Sequence, residues 1–159
     1  MILLVVLTKV MVRQMEKSKF ITAYLLRVDE QGQQYQGYMA EVENSLEAEQ
    51  KLVGGYIQVI RLTDEIDCII NDDGKLQGYP SNRLWKSGNE IYDFIVGNIQ
   101  CVRHDDEGNF ISIQPEDIPI IEEALVPIVG MGEVDGNIVF TTQPSKFLPK
   151  WDGGDDGGC

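Results

Sequence analysis

The stretch "NSLEAEQKLVGGYIQVIRL", residues 44–62, constrains the fold most, because a helix pattern stops at two glycines and a strand pattern begins at once. Asn44 is predicted to cap a helix of about 9–10 residues, with Glu47 completing a capping box. Gly54 stands where a helix end favours a left-handed residue. The run Tyr56–Leu62 is predicted to be an interior strand of a sheet, because it is largely apolar on both faces.

The two glycines invite comparison with phosphate-binding loops. Such loops place their glycines between a strand and the helix that follows it, and a P-loop ends in Lys-Ser or Lys-Thr. Here the order is reversed and neither dipeptide follows. We therefore predict that Gly54-Gly55 is the corner between a helix and a strand.

The rest of the chain alternates short strand patterns with turn signals. Phe20–Val28 and Tyr35–Glu43 are predicted to form a hairpin. After the strand Ile66–Ile70, Asp73-Gly74 is predicted to be the tight turn of a second hairpin, with "KLQGYP" as its return strand.

Further elements are predicted in the second half of the chain. These are a strand at 95–104 paired with "FISI", a helix opening at "QPEDIPIIEEAL" and a last strand at 137–142, whereas 81–94 is predicted to be irregular with one helical turn near 82–85. Strand–helix–strand alternation is missing from these patterns. The fold class is therefore predicted to be α+β, with a mostly antiparallel sheet built from hairpins and two short helices.

Residues 15–143 are predicted to form a single domain, and 144–159 a flexible tail rich in Pro, Gly and Asp. The apolar residues 1–14 are either an extra strand or an upstream extension, since translation starting at Met15 is the alternative. Their apolar run of about 12 residues is shorter than the ~20 that span a bilayer, so no membrane association is predicted.

Charge is distributed unevenly along the chain. The net charge is −13, of which residues 1–55 contribute −1 and residues 56–159 contribute −12. A direct nucleic-acid binder normally presents a basic face, so that function is not expected. An acidic surface can instead attract a basic partner.

Three cysteines, Cys68, Cys101 and Cys159, occur without Cys-x-x-Cys spacing. This pattern argues against a disulfide framework or a zinc site and favours a reducing, cytoplasmic location. Cys68 and Cys101 lie in apolar runs and are predicted to be buried thiols. Cys159 is predicted to be mobile.

Residues for catalysis are sparse. His104 is the single histidine and lies in "HDDEG", where successive side chains seldom converge on a metal. No serine has G-x-S-x-G context, and the adjacent Glu122 and Glu123 point about 100° apart on a helix. We therefore predict no enzyme activity, no metal and no cofactor.

The stretch Gly78–Trp85 combines Tyr79, Asn82, Arg83 and Trp85 in a segment predicted to be irregular. Loops that hold Tyr, Trp and Arg together often form binding sites, because these side chains give large contact areas and directed hydrogen bonds. The structural alternative is that Asn82 and Arg83 tie the segment to the sheet through bonds to the backbone.

Three blocks, "NSLEAEQKLVGGYIQVIRL", "NDDGKLQGYPSNR" and "DFIVGNIQCV", resemble an uncharacterised family of small proteins carried by phages, plasmids and integrative elements of Firmicutes. The resemblance covers about residues 37–113. One departure is Glu49, where the family pattern usually has leucine. The resemblance implies a mobile-element setting and no known activity.

Two functional hypotheses follow. The first is a non-enzymatic accessory protein that binds a host protein, for example a basic nucleic-acid-binding one, through the acidic part after Tyr56 and the Tyr79–Trp85 segment. The second is a homo-oligomer with a small-ligand pocket. In it, Arg61, Lys75, Arg83 or Arg103 meets a nucleotide or another anion.

Overall fold

The computed structural model describes residues 19–153, and the predictions for residues 1–14 and for Cys159 lie outside this range. The described chain forms two antiparallel sheets, a pair of α-helices and a pair of short 3-10 helices, at Pro115–Asp117 and Ser145–Phe147. The predicted α+β class is confirmed.

The first sheet has six strands, which are β1 (Phe20–Leu26), β2 (Tyr38–Glu43), β3 (Ile57–Arg61), β4 (Ile66–Asn71), β7 (Ile99–His104) and β8 (Phe110–Ile111). The second has four, which are β5 (Ser81–Ser87), β6 (Glu90–Val96), β9 (Leu125–Val134) and β10 (Asn137–Thr142). Their orders are β2-β1-β7-β4-β3, with β8 beside β7, and β10-β9-β5-β6. Helix α1 is Leu46–Val53 and helix α2 is Ile118–Ala124.

The core has two parts, one on each face of the first sheet. On one face, Leu26, Cys68 and Cys101 pack against the second sheet and helix α2, through residues such as Ile95 and Ile121. On the other face, the alternate residues of the same strands pack against Leu52 and Val53 of α1. The alternation follows from the two-residue period of a strand. Helix α1 has only eight residues and is about 12 Å long. It therefore leaves part of this face of the first sheet uncovered.

The corner predicted at the paired glycines is confirmed. Gly54 ends α1 in the left-handed region, with φ 85°, and its N–H donates to the Gln50 carbonyl at 2.8 Å. A Cβ added to Gly55 would lie 3.0 Å from Nδ2 of Asn71. Left-handed backbone and close packing are two situations in which glycine is favoured.

The predicted hairpin of β1 and β2 is confirmed, but two details nearby are wrong. Ser45, not Asn44, caps α1, because its hydroxyl accepts from the Ala48 N–H at 3.1 Å, while the Asn44 amide donates to Phe110. Strand β3 is an edge strand, not an interior one. Its apolar character on both faces reflects the two cores that flank the sheet.

The hairpin predicted at Asp73-Gly74 is also wrong. After β4 the chain makes successive turns over residues 72–78, held by Gln77 N–H to Asp73 O at 3.0 Å and Tyr79 N–H to Gly74 O at 2.9 Å. The chain thereby crosses from the first sheet to the second, and "KLQGYP" forms no strand. Residues 81–94, predicted to be irregular, instead form most of the β5–β6 hairpin.

Residues 144–151, which belong to the segment 144–159 predicted to be a flexible tail, contact the rest of the domain. Leu148 is buried, and Lys150 forms a parallel bridge with Gln36. The Trp151 ring lies 5.0 Å from the Tyr35 ring and beneath the Arg27 guanidinium. Contacts with the domain therefore continue past residue 143 as far as Trp151.

Candidate protein-binding surface

Asn82 and Arg83, two residues predicted to bind a partner, lie on β5 with no exposed surface. The Asn82 amide donates to the carbonyls of Leu26 at 2.9 Å and Gly97 at 2.8 Å. It therefore joins the first sheet to the β6–β7 connection. This is the structural alternative for Asn82: a side chain that ties backbone segments together.

Arg83 makes a second set of internal hydrogen bonds. Its guanidinium donates to the Tyr35 carbonyl at 2.7 Å and to the Asn82 side chain at 2.7 Å. Burial lowers the pKa of Arg83 to about 10, so the side chain remains protonated at neutral pH. The nearby Tyr24 hydroxyl donates to Glu122, and burial is the main cause of a raised Tyr24 pKa. Asn82 and Arg83 are inaccessible to a macromolecular partner in this conformation.

Tyr79 and Trp85 also make internal contacts. The Tyr79 hydroxyl donates to the Gly54 carbonyl at 3.1 Å and so supports the end of α1. Trp85 is half-buried, with its ring 5.1 Å from that of Tyr92. The stretch that looked most like a binding loop is therefore mainly structural.

The cations of the ligand hypothesis are not brought together. Lys75 pairs with Asp93 at 2.6 Å, whereas Arg103 pairs with Asp117 at 2.6 Å and with Glu65 at 2.7 Å. Arg61 is exposed at the end of β3. With Arg83 buried elsewhere, these residues form no common anion pocket.

A surface that the sequence did not reveal lies at one end of the first sheet. The turn before β4 carries Asp64 and Glu65, and the turn after β7 carries Asp105, Asp106 and Glu107. Because β4 and β7 are antiparallel neighbours, the two turns meet, and the His104 N–H donates to the Glu65 carbonyl at 3.2 Å. We call these five carboxylates the acidic edge.

Local bonds organise the acidic edge. The Asp105 carboxylate accepts from the backbone N–H groups of Glu107 and Asn109, both at 2.9 Å. The backbone bond from Asn109 is the main cause of a lowered Asp105 pKa, so this group stays ionised. His104 faces inward, with Nδ1 2.9 Å from Asp67. In the described range, no cluster of His, Cys, Asp and Glu is arranged to hold a metal.

The open part of the first sheet forms a groove of about 710 Å³ beside helix α1. Its apolar lining includes Leu25, Ala40, Val42 and Leu52. Gln100 also lines the groove. Only 2% of this residue is exposed, and its side chain makes no hydrogen bond within residues 19–153.

The groove has an acidic end and a basic end. Arg27 and Lys51 lie at the basic end. Asn98 connects their neighbours, because its side chain accepts from the Val28 N–H and donates to the Leu52 carbonyl. Glu43 and Glu47 line the other end, where the Asn44 N–H donates to the Lys19 carbonyl. Sequence patterns missed the groove because its residues come from separate elements.

Cys68 and Cys101 are buried, as predicted, and face each other across β4 and β7 with their sulfurs 3.7 Å apart. The hydrogen bond with Cys68 and burial raise the pKa of Cys101, so the Cys101 side chain stays a thiol. Over residues 19–153, no helix has the length and apolar character needed to cross a membrane.

These features define a two-sheet α+β protein whose recognisable surfaces are an acidic edge and an open groove. A family model described as a domain of unknown function (DUF3846) matches residues 21–125, and the chain therefore belongs to that family. The match begins in β1 and ends at the first residue of β9. Searches of curated proteins and of solved structures each gave no match.

Proposed function

We propose that this protein is a non-enzymatic accessory protein of a phage or mobile element of Firmicutes, and that it binds a basic host protein through the acidic edge. The observation that carries the proposal is the meeting of the 63–65 and 105–109 turns, which concentrates carboxylates from distant parts of the chain. Only Arg103 forms an ion pair with this set among the described residues, through Glu65. The resemblance to mobile-element proteins supports the biological setting.

A basic partner fits this surface because opposite charges speed encounter and favour the correct orientation. Much of the interaction is solvent-exposed, so its strength should depend on salt. At about 0.1–0.15 M salt, exposed charges more than about 8–10 Å apart are largely screened from each other. A basic nucleic-acid-binding protein is a suitable partner, since an array of carboxylates can occupy a site that otherwise meets phosphates.

The test compares two triple variants with equal charge changes. Asp64→Asn with Asp106→Asn and Glu107→Gln removes three charges from the acidic edge. Glu30→Gln with Asp72→Asn and Glu90→Gln removes three exposed charges elsewhere. Proteins captured from host lysate are identified, and the affinity of the purified partner is measured over a salt series.

We expect the wild type and the control variant to capture the same basic protein, and the acidic-edge variant to lose it. Affinity of the wild type should fall steeply as salt rises, and less steeply for the acidic-edge variant. Capture that is equal for all three proteins, or insensitive to salt, would contradict the proposal.

A specific observation favours a second function, the binding of a small anionic ligand such as a nucleotide in the groove. The Gln100 amide lines the groove without a hydrogen-bond partner, and Lys51 lies at the same end as Arg27. An amide offers both a donor and an acceptor, and a ligand in the groove could hydrogen-bond to it. This pocket uses different cations from those that the sequence suggested.

Thermal shifts across a nucleotide panel test this alternative, because a ligand that binds only the folded state raises the melting temperature. We expect a shift that Gln100→Leu and Lys51→Gln reduce and Lys86→Gln, on the other sheet, retains. A flat panel, or an equal shift in all variants, would refute ligand binding in the groove.

A further inference from the structure

The hairpin formed by the outer part of β9 and by β10 is unusually apolar for an exposed element. We call residues 129–142 the arm. Its most exposed apolar side chains are Val129 at 57%, Met131 at 56%, Val134 at 57%, Ile138 at 67% and Val139 at 43%. The register of the hairpin places Val129, Met131 and Ile138 on one face and Val134 and Val139 on the other, so both faces expose apolar surface. Exposed apolar surface of this kind often marks an interaction site.

The arm is a well-defined structure. Asp135 and Gly136 have φ values of 51° and 81°, as in the two-residue turn that best joins antiparallel strands. The pairing of β10 with β9 continues from Asn137 to Thr142, with one irregularity near its end. The arm therefore presents β10 in a fixed conformation.

Strand β10 differs from the strands at the other ends of the two sheet orders, which are β2, β3 and β6, because it carries no charged side chain. By contrast, β2 carries Glu41 and Glu43, β3 carries Arg61, and β6 carries Glu90 and Asp93. Strand β10 has the sequence NIVFTT and no charge, and within residues 19–153 it pairs only with β9. Proteins commonly protect free edges with charges, so an uncharged apolar edge indicates a partner strand.

We propose that this partner is a second copy of the chain, and that two β10 strands pair antiparallel about a two-fold axis to form a homodimer. Charge favours this occupant at this place. The chain carries −13 in total, and the arm carries only Glu133 and Asp135 and no basic residue. Self-association of so acidic a protein meets least repulsion where charge is sparse.

The symmetry also separates the charges that the arm does carry. In an antiparallel pair, the Asp135 turn of one copy lies beside the Thr142 end of the other. The two acidic turns are then at opposite ends of the interface. A two-fold axis makes each surface its own complement, which is the commonest arrangement among homodimers. This inference does not depend on the proposed binding of a basic protein.

The test places the same charge on two edge strands. Val139→Lys introduces lysine at the centre of β10, where Val139 is 43% exposed. Val59→Lys is the matched control on β3, where Val59 is 44% exposed. The molecular mass in solution is measured by light scattering over a dilution series, and circular dichroism reports folding.

We expect the wild type and Val59→Lys to be dimers and Val139→Lys to be a folded monomer. A monomeric wild type at all concentrations would overturn the proposal, as would a Val139→Lys protein that remains dimeric.

Cross-linking provides a second measurement that does not require a disruptive change. Val139→Cys and Val59→Cys are each made with Cys159→Ser, and both are treated with a short thiol-reactive cross-linker. Cys68 and Cys101 have no exposed surface and should not interfere. Efficient cross-linking of Val139→Cys alone supports pairing through β10, whereas equal yields for the two variants would contradict it.

Discussion

Strands β5 and β10 lie in the same sheet but place their side chains in opposite environments. On β5, Asn82 and Arg83 have no exposed surface, whereas on β10 Ile138 is 67% exposed. Asn82 and Arg83 are hydrogen-bonded to backbone carbonyls of other segments. Internal hydrogen bonds therefore explain why β5 has polar residues at buried positions. The exposed apolar residues of β10 have no such internal role and are accessible to a partner.

The largest expected effect is that of Arg83→Ala. The change opens a cavity between the sheets and leaves the Tyr35 carbonyl without its donor, so we expect the free energy of unfolding to fall by about 4 kcal/mol. Lys86→Ala on the same strand is the control and should stay within about 0.5 kcal/mol. Chemical denaturation measures both. A cost for Arg83→Ala as small as that of the control would show that β5 does not depend on its buried polar residues.

A smaller loss is expected for Asn82→Ala. Two buried carbonyls, those of Leu26 and Gly97, would lose their donor, which should lower the free energy of unfolding by about 2–3 kcal/mol. Ser81→Ala, with no side-chain hydrogen bond in residues 19–153, should have little effect. Equal melting temperatures for the two variants would argue against the role assigned to Asn82.

The parts of the fold that sequence patterns predicted are those set by local signals. Gly54 and the polar run before it define α1, and the turn between β1 and β2 defines their hairpin. Strand β5 was missed because its polar and aromatic residues resemble a loop until the carbonyls that they bind are known. Strand β9 was missed because Pro127, Gly130 and Gly132 lower its strand propensity.

The candidate site was less predictable than the fold. The acidic residues 64–65 and 105–107 were visible, but their meeting depends on the pairing of β4 with β7. Likewise, the burial of Arg83 depends on contacts with Tyr35 and Asn82 that sequence spacing does not specify. Long-range strand pairing is the information that a single sequence does not carry locally.

Glu49 on helix α1 is a buried charged residue outside β5. It is 5% exposed, like the buried residues of β5, but its side chain makes no hydrogen bond within residues 19–153. Because its burial is not compensated, we expect Glu49→Leu to raise the free energy of unfolding by about 1 kcal/mol at pH 7. Glu47→Leu, on the exposed side of α1, should give no such gain.

The increase in the free energy of unfolding that we expect for Glu49→Leu should be smaller at acidic pH than at neutral pH. Burial raises the pKa of Glu49, so the folded state binds a proton more tightly than the unfolded state. The stability that protonated Glu49 contributes is present below its ordinary pKa of about 4.3 and is lost as pH rises through the folded-state value. The advantage of leucine should therefore shrink in acid. An advantage that does not change with pH would mean that packing, not charge burial, is its cause.

The smallest expected effect belongs to the exposed arm, and it tests the other half of the comparison. In the Val139→Lys background, which removes the proposed dimer contact, Ile138→Thr should change the free energy of unfolding by less than about 0.5 kcal/mol, because surface changes rarely cost more. Ile95→Thr on β6, where Ile95 is 2% exposed, is the matched control and should cost about 2 kcal/mol or more. If Ile138→Thr costs as much as the control, Ile138 is packed within the monomer. Its apolar surface would then belong to the fold, and the contrast between β10 and β5 would disappear.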